Sequence, residues 1–359
     1  MSLAGTARSR LRVCLAGAYK PEYTRIDVIV RGLEANGVVV DHARVQPSSP
    51  FKRRWRMRKL LRSRPIEADI VLVPAFCHHE VEVVRRFFRG PLVFDPLISR
   101  HLSKIHDYRS AGRYSVHAVL NHRVDRRALH VADYVLADTE AHKRYYVDTY
   151  RVAADKVFVV PVGYDGDKFR PTPLPDHRVA TVGFYGSFIP LHGVETILAA
   201  AELLQRREDI RFELIGSGPT HAAMAAYARE RGLENVDFVP RVPYAELGAR
   251  ISAWDVCLGI FGQTRKADLV IPNKIYHYAA CARPMVTKDT PAIRELFRDE
   301  HDVLLCPPDP RALAERIERL MDDRGLAAGL AQQAHATVAD DLDHVGIGRM
   351  IAALFDRWR

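Results

Sequence analysis

Short runs of apolar and β-branched residues alternate along the chain with stretches in which apolar residues recur at helical spacing. In the first half, six of these runs predict strands: RVCLAG (12–17), VVVDH (38–42), DIVLVP (69–74), PLVFDP (91–96), DYVLAD (133–138) and VFVVP (157–161). Strands that are separated by helical stretches are typical of a parallel α/β sheet. The first half therefore predicts one such sheet.

The alternation stops in DGDKFRPTPLPDHR (165–178), where three closely spaced prolines favour a stiff linker, and it then restarts. The second set of predicted strands is VATVGFYG (179–186), RFELIGSG (211–218), VDFV (236–239), DVCLGIF (255–261), PMVT (284–287) and VLLC (303–306). We therefore predict the fold class α/β, with two Rossmann-like, doubly wound parallel-sheet domains, residues 1–170 and 171–340, facing a central cleft. Residues 341–359 predict a last amphipathic helix that packs back towards the N-terminal domain. Such folds bind ligands at the carboxyl ends of their strands, which here face the cleft.

The composition agrees with two globular domains and predicts the cellular compartment of the chain. Its 359 residues are 48% hydrophobic, which is enough apolar material for two cores. The five cysteines are far apart and form no C-x-x-C pair, so we expect neither a disulfide framework nor a zinc ribbon, and we predict a reducing, cytoplasmic setting. Because the sequence has no run of 18 apolar residues and no small-residue cleavage site, we expect neither a membrane span nor a signal peptide.

The net charge of +9 is concentrated in one segment, KRRWRMRKLLRSR (52–64), which holds eight Lys or Arg and no acid. Trp55, Met57, Leu60 and Leu61 lie among these bases. The segment predicts either a basic amphipathic helix on an anionic membrane, at the inner face of the cell membrane, or a solvated helix face. No recognised nucleic-acid-binding module accompanies it, so we expect no nucleic-acid partner.

Two glycine-containing turns and one helix start point to an anion in the second half. Gly186 lies in GFYGSFIPLHG, and Gly216 and Gly218 end the next predicted strand in LIGSGP. Small residues at such turns let backbone N–H groups approach a phosphate, although neither stretch has a complete nucleotide-binding spacing and each also fits a tight turn. Lys274 begins the helix predicted in VIPNKIYHYAACARP (270–284), where a cation opposes the helix dipole unless an anion lies beside it.

Several segments occur in the order of a known family's motifs. They are GFYGSFIPLHGVETILAAAELL (183–204), FELIGSGP (212–219), ENVDFVPRVPYAEL (234–247), WDVCLGIF (254–261) and PNKIYHYAACARPMVTKDTPAIREL (272–296), with ADYVLADTEAHKRYY (132–146) and VFVVPVGYDGDKFRP (157–171) upstream. Together they resemble retaining glycosyltransferases of the GT-B fold, in glycosyltransferase family 4, also called glycosyl transferases group 1. The resemblance covers roughly residues 130–310.

The resemblance implies an enzyme of hexosyltransferase type that moves a sugar, with retention, from a nucleotide-diphosphate sugar to an acceptor hydroxyl. The donor, UDP- or GDP-linked, would lie against the C-terminal domain, and a carbohydrate, lipid-linked or small-molecule acceptor against the N-terminal domain. The resemblance implies no cofactor and no metal. DGD (165–167) lies in a turn rather than at the donor site, and the histidines form no H-E-x-x-H pair.

Two departures from the family pattern leave other functions open. Members usually place Arg and Lys on the diphosphate, where this chain has Ser187 and His192, and acidic residues on the sugar and the ribose, where it has Leu269 and His277. A non-catalytic nucleotide-sugar-binding protein and a nucleotide-sugar epimerase on the same fold are therefore alternatives. The first predicts binding without turnover, and the second predicts conversion of the donor without transfer.

Basic residues later in the chain predict a replacement for the missing cations. Arg265, Lys266 and Lys274 follow the run DVCLGIF, and Lys274 would meet the diphosphate together with the helix N-terminus. The predicted donor-binding residues are Gly17, Gly186, Ser187, His192, Gly216, Gly218, Arg241, Lys266, Asn273, Lys274 and His277, with His277 on the ribose and Arg25 a candidate for an acceptor or phosphate contact. The predicted catalytic residues are Asp95, His79 and Lys274. The alternatives are a packed His277, an exposed Arg25 and an Asp95 that only forms a turn.

Overall fold

The computed structural model describes residues 10–108, 112 and 115–359, which form two six-stranded parallel sheets. The strands are β1 (Arg12–Gly17), β2 (Val39–Arg44), β3 (Ile70–Val73), β4 (Leu92–Phe94), β5 (Tyr134–Ala137), β6 (Val157–Val159), β7 (Ala180–Gly186), β8 (Ile210–Gly216), β9 (Val236–Val239), β10 (Val256–Leu258), β11 (Met285–Lys288) and β12 (Leu304–Cys306). Their orders are β2-β1-β3-β4-β5-β6 and β12-β11-β10-β7-β8-β9. These strands overlap the twelve predicted runs, so the predicted α/β fold class is confirmed.

Helices connect the strands and cover both sheets. In the described residues they are α1 (Thr24–Ala35), α2 (Pro50–Ser63), α3 (Val81–Arg85), α4 (Val116–Val131), α5 (Glu140–Tyr150), α6 (Val194–Leu203), α7 (His221–Glu230), α8 (Tyr244–Ser252), α9 (Asn273–Ala280), α10 (Pro310–Asp322), α11 (Arg324–Ala339) and α12 (His344–Trp358), with a π-helix at Leu102–Asp107. Because helices cover both faces, β3 and β4 are buried at every position. None of the helices in this part of the chain combines the length and hydrophobicity needed to cross a bilayer.

The last helix, α12, lies on α1 of the N-terminal domain. A Cβ atom at Gly348 would be 2.0 Å from the backbone of Gly32, so the two helices cross in close backbone contact. Asn36 at the end of α1 donates a hydrogen bond to the carbonyl of Val345 at 2.9 Å. The chain therefore passes between the domains twice, once between β6 and β7 and once before α12.

The start of α5 joins the two domains beside the cleft. The hydroxyl of Thr139 donates to the carbonyl of Leu269 at 2.5 Å. The carboxylate of Glu295 accepts from the backbone N–H groups of Glu140 and Ala141, each at 2.6 Å, so a side chain of the C-terminal domain caps a helix of the N-terminal domain. The contact of Thr139 holds the end of β5 against the loop that precedes α9, and the contacts of Glu295 hold the start of α5 against the segment after β11.

Candidate active site

A cavity of about 510 Å³ lies between the carboxyl ends of the two sheets and is lined by both domains. The N-terminal domain contributes Arg100, Lys104 and Asp138 among its polar lining residues. The C-terminal domain contributes Gly186, Ser187, His192, Lys266, Asn273 and Lys274, six of the predicted donor-binding residues. Four cationic side chains and one carboxylate line the cavity within the described residues, so the cavity suits an anionic ligand.

Lys274 differs from the other cations of the cavity in being buried without a hydrogen-bond partner among the described residues. Its side chain is only 3% exposed, and its ammonium has no hydrogen-bond partner among the described residues. The Nζ atom lies 3.8 Å from the centroid of the Phe184 ring, and the burial lowers the pKa of this ammonium well below its usual value. Because it lies in the first turn of α9, the helix dipole opposes it as well. An anion in the cavity would remove both penalties.

Lys266 lines the same cavity but already has a partner. Its ammonium lies 3.1 Å from the carboxylate of Asp107, which belongs to the π-helix of the N-terminal domain. Arg265 lies over the ring of Tyr145, 5.1 Å from the centroid, and does not line the cavity. Of the three predicted replacement cations, Lys274 is thus the one that lines the cavity without a hydrogen-bond partner among the described residues.

The turn after β7 places Gly186, Ser187 and His192 on the cavity wall. A Cβ atom at Gly186 would be 2.6 Å from the ring of His192, so the glycine makes room for this ring. Burial, together with the charges of Lys274 and Lys266, lowers the pKa of His192 well below its usual value, which makes the ring neutral near pH 7. The Nδ1 atom of His192 has no hydrogen-bond partner in the described structure.

Gly216, Gly218 and Arg241, which are also among the predicted donor-binding residues, lie outside this cavity. Gly216 has a φ of 135°, and a Cβ atom there would be 1.9 Å from the carbonyl oxygen of Gly186. A Cβ atom at Gly218 would be 1.6 Å from the carbonyl oxygen of Ser187. Arg241 donates to the hydroxyl of Ser217 at 3.0 Å. None of the three lines the cavity: Gly216 and Gly218 lie against the backbone of the Gly186 turn, and Arg241 bonds Ser217 between them.

His277 is a packed side chain, which corrects its predicted contact with the ribose. Its ring is 1% exposed, is stacked on Phe169 with centroids 3.8 Å apart, and is joined through Nδ1 to the hydroxyl of Tyr185 at 2.7 Å. Burial lowers the pKa of His277 to about 3. The ring is therefore a neutral part of the domain core.

In the N-terminal domain, Asp95 and Arg25 form a buried ion pair and do not line the cavity. The Nε atom of Arg25 lies 3.0 Å from the carboxylate of Asp95, and Arg25 also donates to the carbonyl of Val160 at 3.0 Å. Their side chains are 0% and 1% exposed. The predicted catalytic role of Asp95 and the predicted ligand contact of Arg25 are thus replaced by a structural pair that joins β4, α1 and the end of β6.

Two further predictions in this domain also fall outside the cavity. His79 lies in a separate pocket of about 170 Å³, with Arg54 and Glu82, between α2, α3 and α4. Gly17 ends β1, where a Cβ atom would be 2.6 Å from the sulfur of Cys77, so the glycine serves packing. Neither residue is placed to contact a ligand in the cleft.

Three charged residues of the cavity, Arg100, Lys104 and Asp138, are not among the predicted site residues. Burial lowers the pKa of Arg100, and burial followed by the charge of Arg100 lowers the pKa of Lys104. Asp138 directly follows β5. The signal was present in the sequence, since VFDPLISRH and DYVLAD both place polar residues directly after a strand at the same edge of the sheet.

Part of the sequence and the overall fold are similar to those of known proteins. Residues 179–323 match the family model described as glycosyl transferases group 1. Sucrose-phosphate synthase from Thermosynechococcus elongatus superposes with a TM-score of 0.78 at 17% identity, with 97% of this chain and 99% of that chain covered. HepE from Anabaena, solved in complex with UDP and glucose, superposes with a TM-score of 0.73 at 17% identity, with 97% and 99% covered. The fold is GT-B.

Curated relatives match a smaller part of this GT-B chain. D-inositol 3-phosphate glycosyltransferase from Kineococcus radiotolerans is 30% identical over 228 residues, which are 55% of this chain and 51% of the relative. The probable glycosyltransferase WbjE from Pseudomonas aeruginosa is 30% identical over 147 residues, 39% of this chain and 35% of the relative. The aligned region thus spans about half of the first relative and less of the second.

Proposed function

We propose that this GT-B protein is a retaining glycosyltransferase that moves a sugar from a nucleotide-diphosphate sugar to an acceptor hydroxyl without a required metal. The observation that carries the proposal is the buried ammonium of Lys274 at the wall of the central cavity, which has no hydrogen-bond partner among the described residues. The match of residues 179–323 to the glycosyl transferases group 1 model supports it. A nucleoside diphosphate supplies negative charge that balances the excess of cations in this cavity.

In the proposed reaction, the bond between the sugar and the diphosphate breaks while the acceptor oxygen approaches the same face of the sugar. A departing phosphate oxygen takes the acceptor proton, so the main task of the protein is to stabilise negative charge on the diphosphate. Lys274 performs this task directly, and Lys266 adds charge nearby. Exclusion of water from the closed cleft prevents water from competing as the acceptor.

The donor is proposed to be UDP- or GDP-linked, and the acceptor to be a carbohydrate, a lipid-linked alcohol or a small molecule. HepE, which shares the fold, has been solved with UDP-glucose, so UDP compounds are the first to test. A thermal-shift screen of UDP, GDP, ADP, dTDP and CDP reads binding directly, because a ligand of the folded state raises its melting temperature. Absence of a shift with all five nucleotides would overturn the proposal.

Turnover assays separate this proposal from its alternatives. Incubation of the matching nucleotide sugar with acceptor extracts, followed by NMR of the anomeric signals, should show a new glycoside with the donor's anomeric configuration. Transfer should continue in the presence of EDTA. An altered sugar that is still attached to its nucleotide would indicate an epimerase, and binding without any product would indicate a non-catalytic protein.

We also propose that α2 binds an anionic membrane surface. Its inward positions are Arg53, Met57 and Leu61, while Phe51 and Trp55 are 81% and 56% exposed. The exposed bases of the same helix are Lys52, Arg56, Lys59 and Arg62. Aromatic rings among cations suit a bilayer interface with anionic headgroups. The start of α4, with Leu120 50% exposed, lies across the small pocket from Arg54 and extends this surface.

Vesicle flotation tests this surface. The protein should float with phosphatidylglycerol-containing vesicles and not with pure phosphatidylcholine, and Phe51→Ser/Trp55→Ser or Lys52→Glu/Lys59→Glu should reduce the floated fraction several-fold. Arg206→Glu/Arg229→Glu, which makes the same charge change on exposed residues of the C-terminal domain, is the matched control. Equal loss in the control, or flotation unaffected by either α2 variant, would refute the assignment.

A further inference from the structure

We infer that Asp138 binds the transferred sugar of the donor and that His142 positions its carboxylate. The inference rests on the proposed function and names the group of the cavity that recognises the sugar. Among the lining residues that the structure describes, Asp138 is the only carboxylate, whereas the cations Arg100, Lys104, Lys266 and Lys274 account for the other charges. The cavity therefore has one place where hydroxyl groups, rather than phosphates, find a charged acceptor.

The side chain of Asp138 is held in place from behind. Asp138 is 4% exposed, and its Oδ1 atom accepts a hydrogen bond from Nδ1 of His142 at 2.6 Å. His142 is fully buried in the first turn of α5, where its ring packs on Tyr146 with centroids 4.4 Å apart. A buried ring bonded to one carboxylate oxygen fixes the orientation of the whole carboxylate, as a positioning residue does for a binding group.

The backbone around Asp138 is fixed against the opposite domain. Thr139, the next residue, donates to the carbonyl of Leu269 in the loop before α9, and Glu295 accepts from the N–H groups of Glu140 and Ala141. Asp138 is thereby held on the N-terminal side of the cavity whose C-terminal side carries Lys274. A carboxylate in a site closed to water repels a diphosphate and accepts hydrogen bonds from sugar hydroxyls. The two halves of a nucleotide sugar thus have separate partners, the diphosphate on Lys274 and the sugar on Asp138.

This division gives a test in which the sugar is the only variable. Calorimetry would measure the affinities of wild-type protein for the nucleoside diphosphate that gives the largest thermal shift and for its nucleotide sugars. Asp138→Asn should leave the affinity for the nucleoside diphosphate within about twofold and weaken the best nucleotide sugar by about tenfold or more, because a hydrogen bond to a charged acceptor is lost. His142→Ala should produce a smaller loss of the same kind.

Controls make the outcomes distinct. Glu140→Gln removes an exposed carboxylate two residues away and should change neither affinity. Equal weakening of both ligands by Asp138→Asn, or weakening only of the acceptor KM with the donor unaffected, would overturn the assignment. Absence of nucleotide binding by the wild-type protein would overturn the proposed function itself, which separates the two failures. Melting temperatures of the variants report whether each one is folded.

Discussion

Replacement of Lys274 by methionine separates the ligand-binding role of this residue from any role in folding. Lys274→Met keeps the length of the side chain and its packing on Phe184 but removes the charge from the cavity wall. Because the ammonium has no hydrogen-bond partner within the described residues, no protein group is left unpaired by the substitution. The variant therefore tests whether the charge serves a ligand.

Lys274→Met should weaken ligand binding clearly without a large loss of stability. A hydrogen bond between an ammonium and a phosphate oxygen in a dry site contributes about 1.5–3 kcal/mol, so the Kd for the nucleoside diphosphate should rise about 10- to 150-fold. Without ligand, the substitution relieves the desolvation of an unpaired polar group, about 1–3 kcal/mol, and loses a cation–π contact of about 2 kcal/mol or less. The free energy of unfolding should therefore change by between about −1 and +3 kcal/mol relative to the wild-type value.

Isothermal titration calorimetry measures the first quantity and urea denaturation the second. Lys288→Met is the matched control, because Lys288 is a mostly buried lysine of the same domain that is already paired with Asp268 at 2.8 Å and does not line the cavity. The control should retain the wild-type affinity. An unchanged Kd for Lys274→Met, or a loss of affinity that merely follows a loss of stability, would refute the reasoning.

Three further predictions follow from the titration of Lys274 and from the buried pair in the N-terminal domain. Because burial lowers the folded-state pKa of Lys274, the unfolded chain binds more protons between that pKa and about 10.5, so the contribution of Lys274 to stability should rise with pH across this interval. A bound diphosphate favours the charged form, so calorimetry in buffers of different ionisation enthalpy should detect proton uptake on binding at alkaline pH, and Lys274→Met should abolish it. Asp95→Ala should lower the free energy of unfolding by about 3–5 kcal/mol, because it leaves Arg25 charged and buried, and urea denaturation measures this loss. A fully stable Asp95→Ala variant without transfer activity would instead restore the catalytic interpretation.

The strands and the main cation of the site were predictable because their signals are local. A buried parallel strand requires a continuous apolar run, and Pro272 followed by Asn273 marks the start of α9, so the position of Lys274 in its first turn could be read directly. The Gly186 turn was predictable for the same reason. These features depend on residues close together in the chain.

Which of the polar residues after the strands faces the cleft was not predictable, because a competing partner can lie far away in the sequence. Asp95 and Asp138 both follow a strand, but Asp95 finds Arg25, 70 residues earlier, while Asp138 is bonded to His142 within its own helix turn and remains on the cavity wall. Likewise His277 stacks on Phe169, which precedes it by more than one hundred positions. Tertiary packing decides which polar residue forms a buried structural pair and which one remains available to a ligand.

The double passage of the backbone between the domains restricts how the cleft can open. The two passages are adjacent in space, because Tyr164 in the first passage and Asp343 in the second form an isolated β-bridge. Two neighbouring connections define a hinge axis, so we expect the domains to rotate about this one axis, whereas a single flexible linker would allow rotation in any direction. A single protease cut in the exposed stretch 176–179 would therefore leave the two domains associated only through non-covalent contacts, among them the packing of α12 on α1.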